Sequence, residues 1–264
     1  MRQAPAYAAS TSMRISGNTV LITGGSSGIG LELARALLAR DNSVIVCGRS
    51  ESKLADAKVQ LPGLQTIACD VATDAGRTLL LQTIQDTSPR LNVLVNNAGI
   101  MLALDFKAPN QHTAQQTRDE TEIDFLAPML LSLAFVAALA AQPESAIINL
   151  GSILAYVPYA GTPVYCAAKA GIHSFTTSLR YQLSGTSIRV FEVLPPAVDT
   201  PLMQGFKFPK IAPTRVAKEI VSGLASNRSE IRIGPTNMVY KLSRLSPGMA
   251  QRFLNRTPVT VNHQ

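Results

Sequence analysis

The sequence has few features of disulfide-rich, zinc-binding or membrane-spanning proteins. Its three cysteines, Cys47, Cys69 and Cys166, are far apart and none stands at CxxC spacing. This argues against a disulfide framework or a zinc site and favours reduced thiols in the cytoplasm. The longest apolar stretch, residues 126–141, contains Pro128 and falls short of the roughly 20 residues needed to cross a bilayer. We therefore expect a buried helix there and no membrane partner.

Neither a strong charge bias nor a basic cluster is present. The net charge is +7, from 24 Lys and Arg against 17 Asp and Glu, but the basic residues are spread along the chain. This distribution does not predict nucleic-acid binding. A basic surface that attracts an anionic cofactor would explain the surplus, and so would an ordinary solvated surface. With 46% apolar and 16% charged residues, the chain can form a substantial core.

The first residues do not look like part of the folded domain. Residues 1–12 lack the long apolar core of a secretion signal. We expect residues 1–13 to be a disordered extension without a catalytic function, and residues 14–264 to form one domain.

Short β-branched runs alternate with longer amphipathic stretches from Asn18 onward, which indicates βαβ units around a parallel sheet. No linker or internal repeat interrupts the alternation. We predict a single-domain α/β fold with a Rossmann-type, doubly wound, seven-stranded parallel sheet. The residues after strand six, about 200–213, form a candidate substrate lid. The predicted strands are 19–23, 43–47, 65–69, 92–96, 145–150, 188–194 and 230–234.

A glycine-rich turn lies between the first strand and its helix. Such a turn lets the backbone approach a phosphate closely and points free N–H groups of the helix at it. A lone glycine turn is weak evidence, but here it follows a strand and opens an amphipathic helix. The turn residues that we predict to bind a dinucleotide are Gly24, Ser26, Ser27, Gly28, Ile29 and Gly30.

The end of the second strand bears on the cofactor. NAD-binding folds usually present a carboxylate there to the ribose 2′-hydroxyl, whereas this strand ends in Cys47-Gly48-Arg49-Ser50 without an acid. The Arg49 guanidinium can pair with a 2′-phosphate. NADP(H) is therefore the predicted cofactor, and an exposed structural arginine is the alternative.

Together, several motifs resemble the short-chain dehydrogenase/reductase family. They are TGGSSGIG at 23–30, Cys69-Asp70-Val71, Asn96-Asn97-Ala98-Gly99, Ser152 and Tyr165-Cys-Ala-Ala-Lys169, in the family's order and spacing. The likeness covers roughly residues 14–234. The C-terminal segments are also similar to a branch that includes oxidoreductases associated with lipoteichoic-acid D-alanylation. That name describes an association more than a reaction.

The catalytic expectation combines this resemblance with local chemistry. Tyr165 and Lys169 are four residues apart and share a helix face. A nearby ammonium is expected to lower the pKa of the Tyr165 phenol, so that it can serve as general acid or base. Ser152 follows an apolar strand and can donate to the carbonyl oxygen of a substrate. A nucleophilic Ser152 is the weaker alternative, since no GxSxG elbow accompanies it and His112, His173 and His263 have no suitable context.

The resemblance also implies cofactor contacts outside the glycine turn. It assigns Lys169 to the nicotinamide ribose and Thr200 to the carboxamide, although Pro196 replaces the family's usual glycine in this loop. The further residues that it implies are Asp70, Val71, Asn97, Ala98, Gly99, Tyr165, Pro195 and Val198.

One position departs from the family pattern. Asp124 stands where the family usually has an asparagine that completes a Ser/Tyr/Lys/Asn tetrad. The change could break the proton relay and leave a cofactor-binding sensor or scaffold. However, Pro128 has no N–H to bond the backbone carbonyl of Asp124, so that carbonyl could hold a relay water. In addition, a carboxylate near Lys169 would stabilise the charged form of the lysine. We expect an active enzyme and assign Asp124 to the catalytic set.

The substrate and assembly are only broadly indicated. Apolar residues at 153–159, with Leu202, Met203, Phe206 and Phe208, suit a lipophilic ketone, aldehyde or alcohol, and they suit the protein's own core nearly as well. The segment from Met238 to Leu245 is predicted as a basic amphipathic helix that packs on the domain or a neighbouring subunit. Contact with a membrane surface is the weaker alternative. The family resemblance implies a homodimer or homotetramer through helices at 118–141 and 163–184.

Overall fold

A parallel sheet of seven strands forms the centre of the computed structural model, which describes residues 12–256. The strand order is β3-β2-β1-β4-β5-β6-β7, and each neighbouring pair is parallel. This confirms the predicted doubly wound α/β fold. The order reverses between β1 and β4, and ligands bind at the carboxyl ends of the strands at such a point. The strands are β1 Thr19–Thr23, β2 Ser43–Gly48, β3 Gln65–Ala68, β4 Val93–Asn96, β5 Ser145–Leu150, β6 Ile188–Leu194 and β7 Glu230–Arg232.

Nine α-helices are present in residues 12–256, and two apolar clusters pack helices against the sheet. One cluster joins α1 and α7 to Val46 and Ile148, and the other joins α3 and α5 to Leu94 and Ile147. Each central strand therefore buries both its faces, as parallel strands do. The helices are α1 Gly28–Leu38, α2 Glu51–Gln60, α3 Asp74–Thr87, α4 Thr113–Thr121, α5 Ala127–Ala140, α6 Pro163–Gln182, α7 Pro213–Ala225, α8 Thr236–Leu245 and α9 Pro247–Leu254.

The long helical segment before β5 is not a uniform α-helix. A π-helical turn, Glu122–Leu126, joins α4 to α5, and Pro128 lies in the first turn of α5. Proline cannot donate the usual helical hydrogen bond, and π turns often occur at functional sites. The combined segment Thr113–Ala140 is long and apolar enough to cross a membrane by length and composition alone. Here it packs against β4 and β5 as a helix of the domain.

Both ends of the described chain differ from the sequence prediction. Met13 was assigned to the disordered extension, but its side chain is buried in the cluster that contains α1. Residues 1–11 lie outside the described part. At the other end, α8 does not bury Met238 and Leu245 on the domain, because these side chains are 66% and 86% exposed. These two side chains do not pack on the domain, and packing on a neighbouring subunit stays a prediction.

Candidate active site

The glycine turn leads directly into the N-terminus of α1. Gly24 and Gly28 have φ angles of 63° and 56°, in the left-handed region that favours glycine. A Cβ on Gly24 would also lie only 2.8 Å from the Ala98 Cα. The turn is thus pressed against the end of β4, and the free N–H groups at the start of α1 are available to an anion.

Thr23 connects this turn to the segment after β4. Its Oγ1 accepts hydrogen bonds of 3.0 Å from the N–H groups of both Asn97 and Ala98. The Asn97 amide in turn donates to the carbonyl oxygens of Thr23, at 2.8 Å, and Gly24, at 3.1 Å. The structure therefore brings together two predicted cofactor segments, the glycine turn and Asn97–Gly99.

Arg49 and Asp70 lie at the ends of the adjacent strands β2 and β3. The Arg49 side chain is 62% exposed, and its Nη1 is 3.9 Å from the Asp70 Oδ2. The other oxygen of Asp70 accepts from the Ala72 N–H at 3.0 Å, so the residue also caps the turn before α3. The sequence of β2 offered no acid near Arg49, but the structure supplies one from β3. Val71, next to Asp70, is buried.

Tyr165, Lys169 and Ser152 meet at the carboxyl end of β5. The Lys169 Nζ lies 5.4 Å from the centre of the Tyr165 ring, and both residues belong to α6. The Ser152 hydroxyl accepts from the Leu154 N–H at 3.1 Å, and it lies near enough to the Tyr165 side chain to lower the pKa of that phenol. All three predicted side chains therefore share one small site.

Asp124 contacts this group directly through its side chain. Its Oδ1 is 3.0 Å from the Lys169 Nζ, and its Oδ2 accepts from the Ile100 N–H at 2.9 Å. Lys169 also donates to the Leu150 carbonyl oxygen at 3.0 Å. A Cβ on Gly99 would lie 2.5 Å from the Asp124 Oδ1, so a glycine is needed here for the carboxylate to fit.

The pKa of Tyr165 is raised and not lowered, which corrects the prediction for this residue. Burial raises the pKa of Tyr165 to about 12, and the charge of Asp124 adds to the rise, whereas Lys169 and Ser152 lower it. Lys169 lowers the pKa of Tyr165 as predicted, but burial outweighs this effect. Burial also raises the pKa of Asp124. Burial alone would lower the pKa of Lys169, but the negative charges of Asp124 and Tyr165 outweigh burial, so the pKa of Lys169 is raised overall.

Glu120 is a site residue that the sequence analysis missed. It is the buried residue of α4, with no exposed surface, and its Oε1 accepts from the Leu102 N–H at 2.8 Å. Burial raises its pKa to about 7, and the nearby charge of Asp124 adds to the rise. The available signal was its position four residues before Asp124, since that spacing puts both side chains on one helical face.

The loop after β6 closes the other side of the glycine turn. A Cβ on Gly28 would lie 3.1 Å from the Thr200 Cγ2, so the structure brings Thr200 to the predicted cofactor cleft. Pro195 and Val198, which precede Thr200 in the chain, are buried. The predicted lid contains a short 3₁₀ turn, Pro201–Met203, and the N–H of Asp199 bonds to the Ile211 carbonyl at 2.9 Å. The loop is thus anchored despite Pro196.

The proposed apolar lining divides into buried and half-buried residues. Met203, Val157 and Tyr159 are buried and contribute to the protein's own packing. Ile153, Leu154, Leu202, Phe206 and Phe208 are half-buried, and the Phe208 ring packs edge-on against the Tyr159 ring at 5.2 Å. These half-buried residues are the part of the predicted lining that still has surface to offer a substrate.

Within the described part of the chain, neither histidine forms a hydrolase triad with Ser152. His173 pairs with Glu192, with 2.8 Å between Nδ1 and Oε2, and His112 is exposed at the start of α4. His263 lies outside the described residues. Within residues 12–256 no group of three His, Cys, Asp or Glu side chains could hold a metal ion.

The fold and the site geometry together define a class of nicotinamide-dependent oxidoreductases, and comparisons with known proteins specify it. Residues 18–208 match the model of the short chain dehydrogenase family. The chain belongs to this family, and its fold binds a nicotinamide cofactor.

Relatives and solved structures agree with this membership. The chain is 47% identical over 225 residues to the uncharacterized oxidoreductase DltE of Bacillus subtilis, covering 83% of this chain and 89% of that protein. A short chain dehydrogenase from Burkholderia cenocepacia in complex with NADP is 25% identical, with a TM-score of 0.82 and coverage of 93% and 100%. A Burkholderia phymatum family member in complex with NAD shares the fold at 17% identity, with a TM-score of 0.77 and coverage of 88% and 95%.

Proposed function

We propose that this protein is an NADP(H)-dependent carbonyl reductase and alcohol dehydrogenase that acts on a lipophilic ketone, aldehyde or secondary alcohol. The observation that carries the proposal is the meeting of the Ser152 and Tyr165 side chains beside the buried Lys169 ammonium. Two hydroxyl donors on one small site suit a single carbonyl oxygen.

The residues of the cleft fit a dinucleotide. Gly24 and Gly28 leave the turn open where a Cβ would meet Ala98 or Thr200. The α1 N-terminus would hold the pyrophosphate, Asn97–Gly99 would line the cofactor, and Lys169 and Thr200 would hold its nicotinamide end. When bound, NADPH supplies a hydride for the carbonyl carbon.

The chain's own residues then transfer the proton to the carbonyl oxygen. Tyr165 gives its phenolic proton to the carbonyl oxygen, and Ser152 donates a hydrogen bond to the same oxygen. The adjacent ammonium of Lys169 stabilises the phenolate that Tyr165 becomes. In the reverse direction, the phenolate accepts the proton of an alcohol. The raised pKa of Tyr165 favours its protonated form at neutral pH, which is the form that reduction requires.

The choice of NADP(H) over NAD(H) rests on Arg49. Its exposed guanidinium at the end of β2 can pair with a 2′-phosphate, and such charge-assisted bonds contribute about 1.5–3 kcal/mol. We expect Arg49→Ala to weaken NADPH binding by roughly 10- to 100-fold and to leave NADH binding almost unchanged. Lys58→Ala, which removes an exposed cation from α2, is the matched control. Equal effects of both variants would overturn the NADP assignment.

The reaction itself is tested by NADPH oxidation with a panel of lipophilic ketones and aldehydes. Tyr165→Phe should bind NADPH like the wild type and lose about 10²- to 10⁴-fold in turnover. NADPH binding without turnover of the panel by the wild type would favour the sensor or scaffold alternative. No binding of either nucleotide would exclude the oxidoreductase proposal.

We also propose a cytoplasmic homodimer or homotetramer. The three thiols are free and buried, which suits a reducing compartment. On the predicted interface helices, Leu133 of α5 and Tyr181 of α6 are 71% and 61% exposed, and large exposed apolar side chains are common at subunit contacts. Leu133→Glu should lower the mass measured by sedimentation, and a wild-type monomer would contradict the proposal.

A further inference from the structure

Two carboxyl groups, and not one, hold the segment that follows β4. The N–H of Ile100 donates to Asp124 at 2.9 Å, and the N–H of Leu102 donates to Glu120 at 2.8 Å. Alternate amides of the chain thus bond to two acids on successive helical turns. This segment directly continues Asn97–Gly99, so its position bears on the cofactor cleft.

The second oxygen of Glu120 is unusual. Glu120 has no exposed surface, and its Oε2 has no hydrogen-bond partner among the described residues. An unpartnered buried carboxylate oxygen is costly. A proton on this oxygen removes the charge, and burial accordingly raises the pKa of Glu120 to about 7.

Three other titratable groups interact with Glu120. Asp124, from the π-helical turn, disfavours its charge, whereas the Lys169 ammonium on α6 favours it. Cys166, also on α6, has its own pKa raised chiefly by burial and further by the charge of Glu120. In return, the charge of Glu120 raises the pKa of Lys169, in addition to the larger effects of Asp124 and Tyr165.

We propose that Glu120 is a positioning residue of the catalytic site, which anchors residues 100–102 through the Leu102 amide and adjusts the charge around Lys169 by binding or releasing a proton. When protonated, it leaves Asp124 and Lys169 as a neutral pair. When ionised, it adds a second negative charge that stabilises the Lys169 ammonium. The kinetic part of this inference rests on the proposed reductase function, but the structural part does not.

The titration can be observed directly by NMR. The chain has eight glutamates, so protein labelled at the glutamate carboxyl carbon gives a simple spectrum. The resonance that disappears in Glu120→Gln should titrate with a midpoint near 7, well above exposed glutamates, whose ordinary value is about 4.3. Titration of that resonance with the exposed glutamates would overturn the proposal.

The anchoring is tested by hydrogen exchange at the Leu102 amide. Glu120→Gln keeps an acceptor oxygen and should leave the exchange rate almost unchanged. Glu120→Ala removes the acceptor, and the exchange should become about tenfold faster, as expected for the loss of one net hydrogen bond. An unchanged rate in Glu120→Ala would contradict the anchoring role. If Glu120→Ala does not fold, the NMR titration of wild type and Glu120→Gln still determines the pH at which Glu120 gains its charge.

The pH profile of carbonyl reduction tests the coupling to Lys169. Glu120→Gln should move the alkaline limb of kcat/KM to lower pH, because Lys169 loses the charge that stabilises its ammonium. Asp119→Asn removes the same charge from an exposed position on α4 and should leave the profile in place. A wild-type profile in Glu120→Gln would refute the coupling. A wild type without reductase activity would instead refute the proposed function, and the NMR and exchange results would still decide the role of Glu120.

Discussion

Asp124 Oδ1 lies 3.0 Å from Lys169 Nζ, and the two side chains are 0% and 6% exposed. The desolvation of two buried charges is compensated only by close pairing and further hydrogen bonds. The Ile100 N–H and the Leu150 carbonyl supply those bonds. The residue that departs from the family's asparagine is therefore part of an organised ion pair beside Tyr165.

The variant Asp124→Asn tests whether this carboxylate is needed for turnover. Asparagine keeps an acceptor oxygen for the Ile100 N–H, and the loss of negative charge lowers the pKa of both Tyr165 and Lys169. We expect turnover to be kept or improved at neutral pH, with the alkaline limb of the profile shifted to lower pH. Steady-state kinetics across pH would check this, with Asp119→Asn as the exposed control. A complete loss of activity in a folded variant would refute it.

A second variant pair separates stability from catalysis at the same ion pair. Lys169→Met leaves Asp124 buried without its cation and should destabilise the fold by about 3–5 kcal/mol. Adding Asp124→Leu replaces the pair with apolar groups and should recover a large part of that loss. Neither variant should be active. Urea unfolding measures the effect, and a double variant no more stable than Lys169→Met would contradict it.

The fold was predictable because its information is local. Every predicted strand is present, since β-branched runs that are buried on both faces are distinctive in sequence. The boundaries were less exact: the seventh strand was predicted to reach Gly234 but ends at Arg232. The helix predicted over 118–141 contains a π-helical turn at Glu122–Leu126. Pro128 indicated an irregularity there, because proline lacks the N–H of a regular helical hydrogen bond. It did not indicate which hydrogen bonds would replace the missing bond.

The part of the site that depends on the spacing of residues along the chain was predictable from the sequence. Tyr165 and Lys169 share a helix face because they are four residues apart, and the structure brings Ser152 to them. Burial, in contrast, depends on packing between distant segments. For this reason local spacing could not predict that desolvation would outweigh the effect of Lys169 on the pKa of Tyr165. Nor could it predict that Glu120 would be buried against the Leu102 amide.

The pair of Arg49 and Asp70 predicts a change in cofactor preference. The Asp70 carboxylate, 3.9 Å from the guanidinium, should compete with a 2′-phosphate for Arg49. Asp70→Asn keeps an acceptor for the Ala72 N–H and should raise the ratio of NADPH to NADH affinity by about two- to fivefold, the range of an exposed ion pair. Fluorescence titration of both nucleotides checks this, with the exposed Asp56→Asn as control. An unchanged or lower ratio would contradict the competition.

Glu120 predicts a specific dependence of stability on pH. Its pKa is about 7 in the folded protein against an ordinary value near 4.5, so the folded state binds the proton more tightly than the unfolded state. The contribution of Glu120 to stability is therefore fully present below about pH 4.5 and is lost as pH rises toward 7 and above. The loss amounts to about 3 to 4 kcal/mol, because one pKa unit corresponds to about 1.4 kcal/mol.

Glu120→Gln carries no titrating proton and should not undergo this loss. The free energy of unfolding of the variant, relative to wild type, should therefore increase between pH 5 and pH 8, whatever its absolute value. Denaturant unfolding at a series of pH values measures this difference. Asp119→Asn should give a nearly constant difference, because its carboxylate is exposed. A difference for Glu120→Gln that does not vary with pH would mean that Glu120 has the same proton affinity in the folded and unfolded chains.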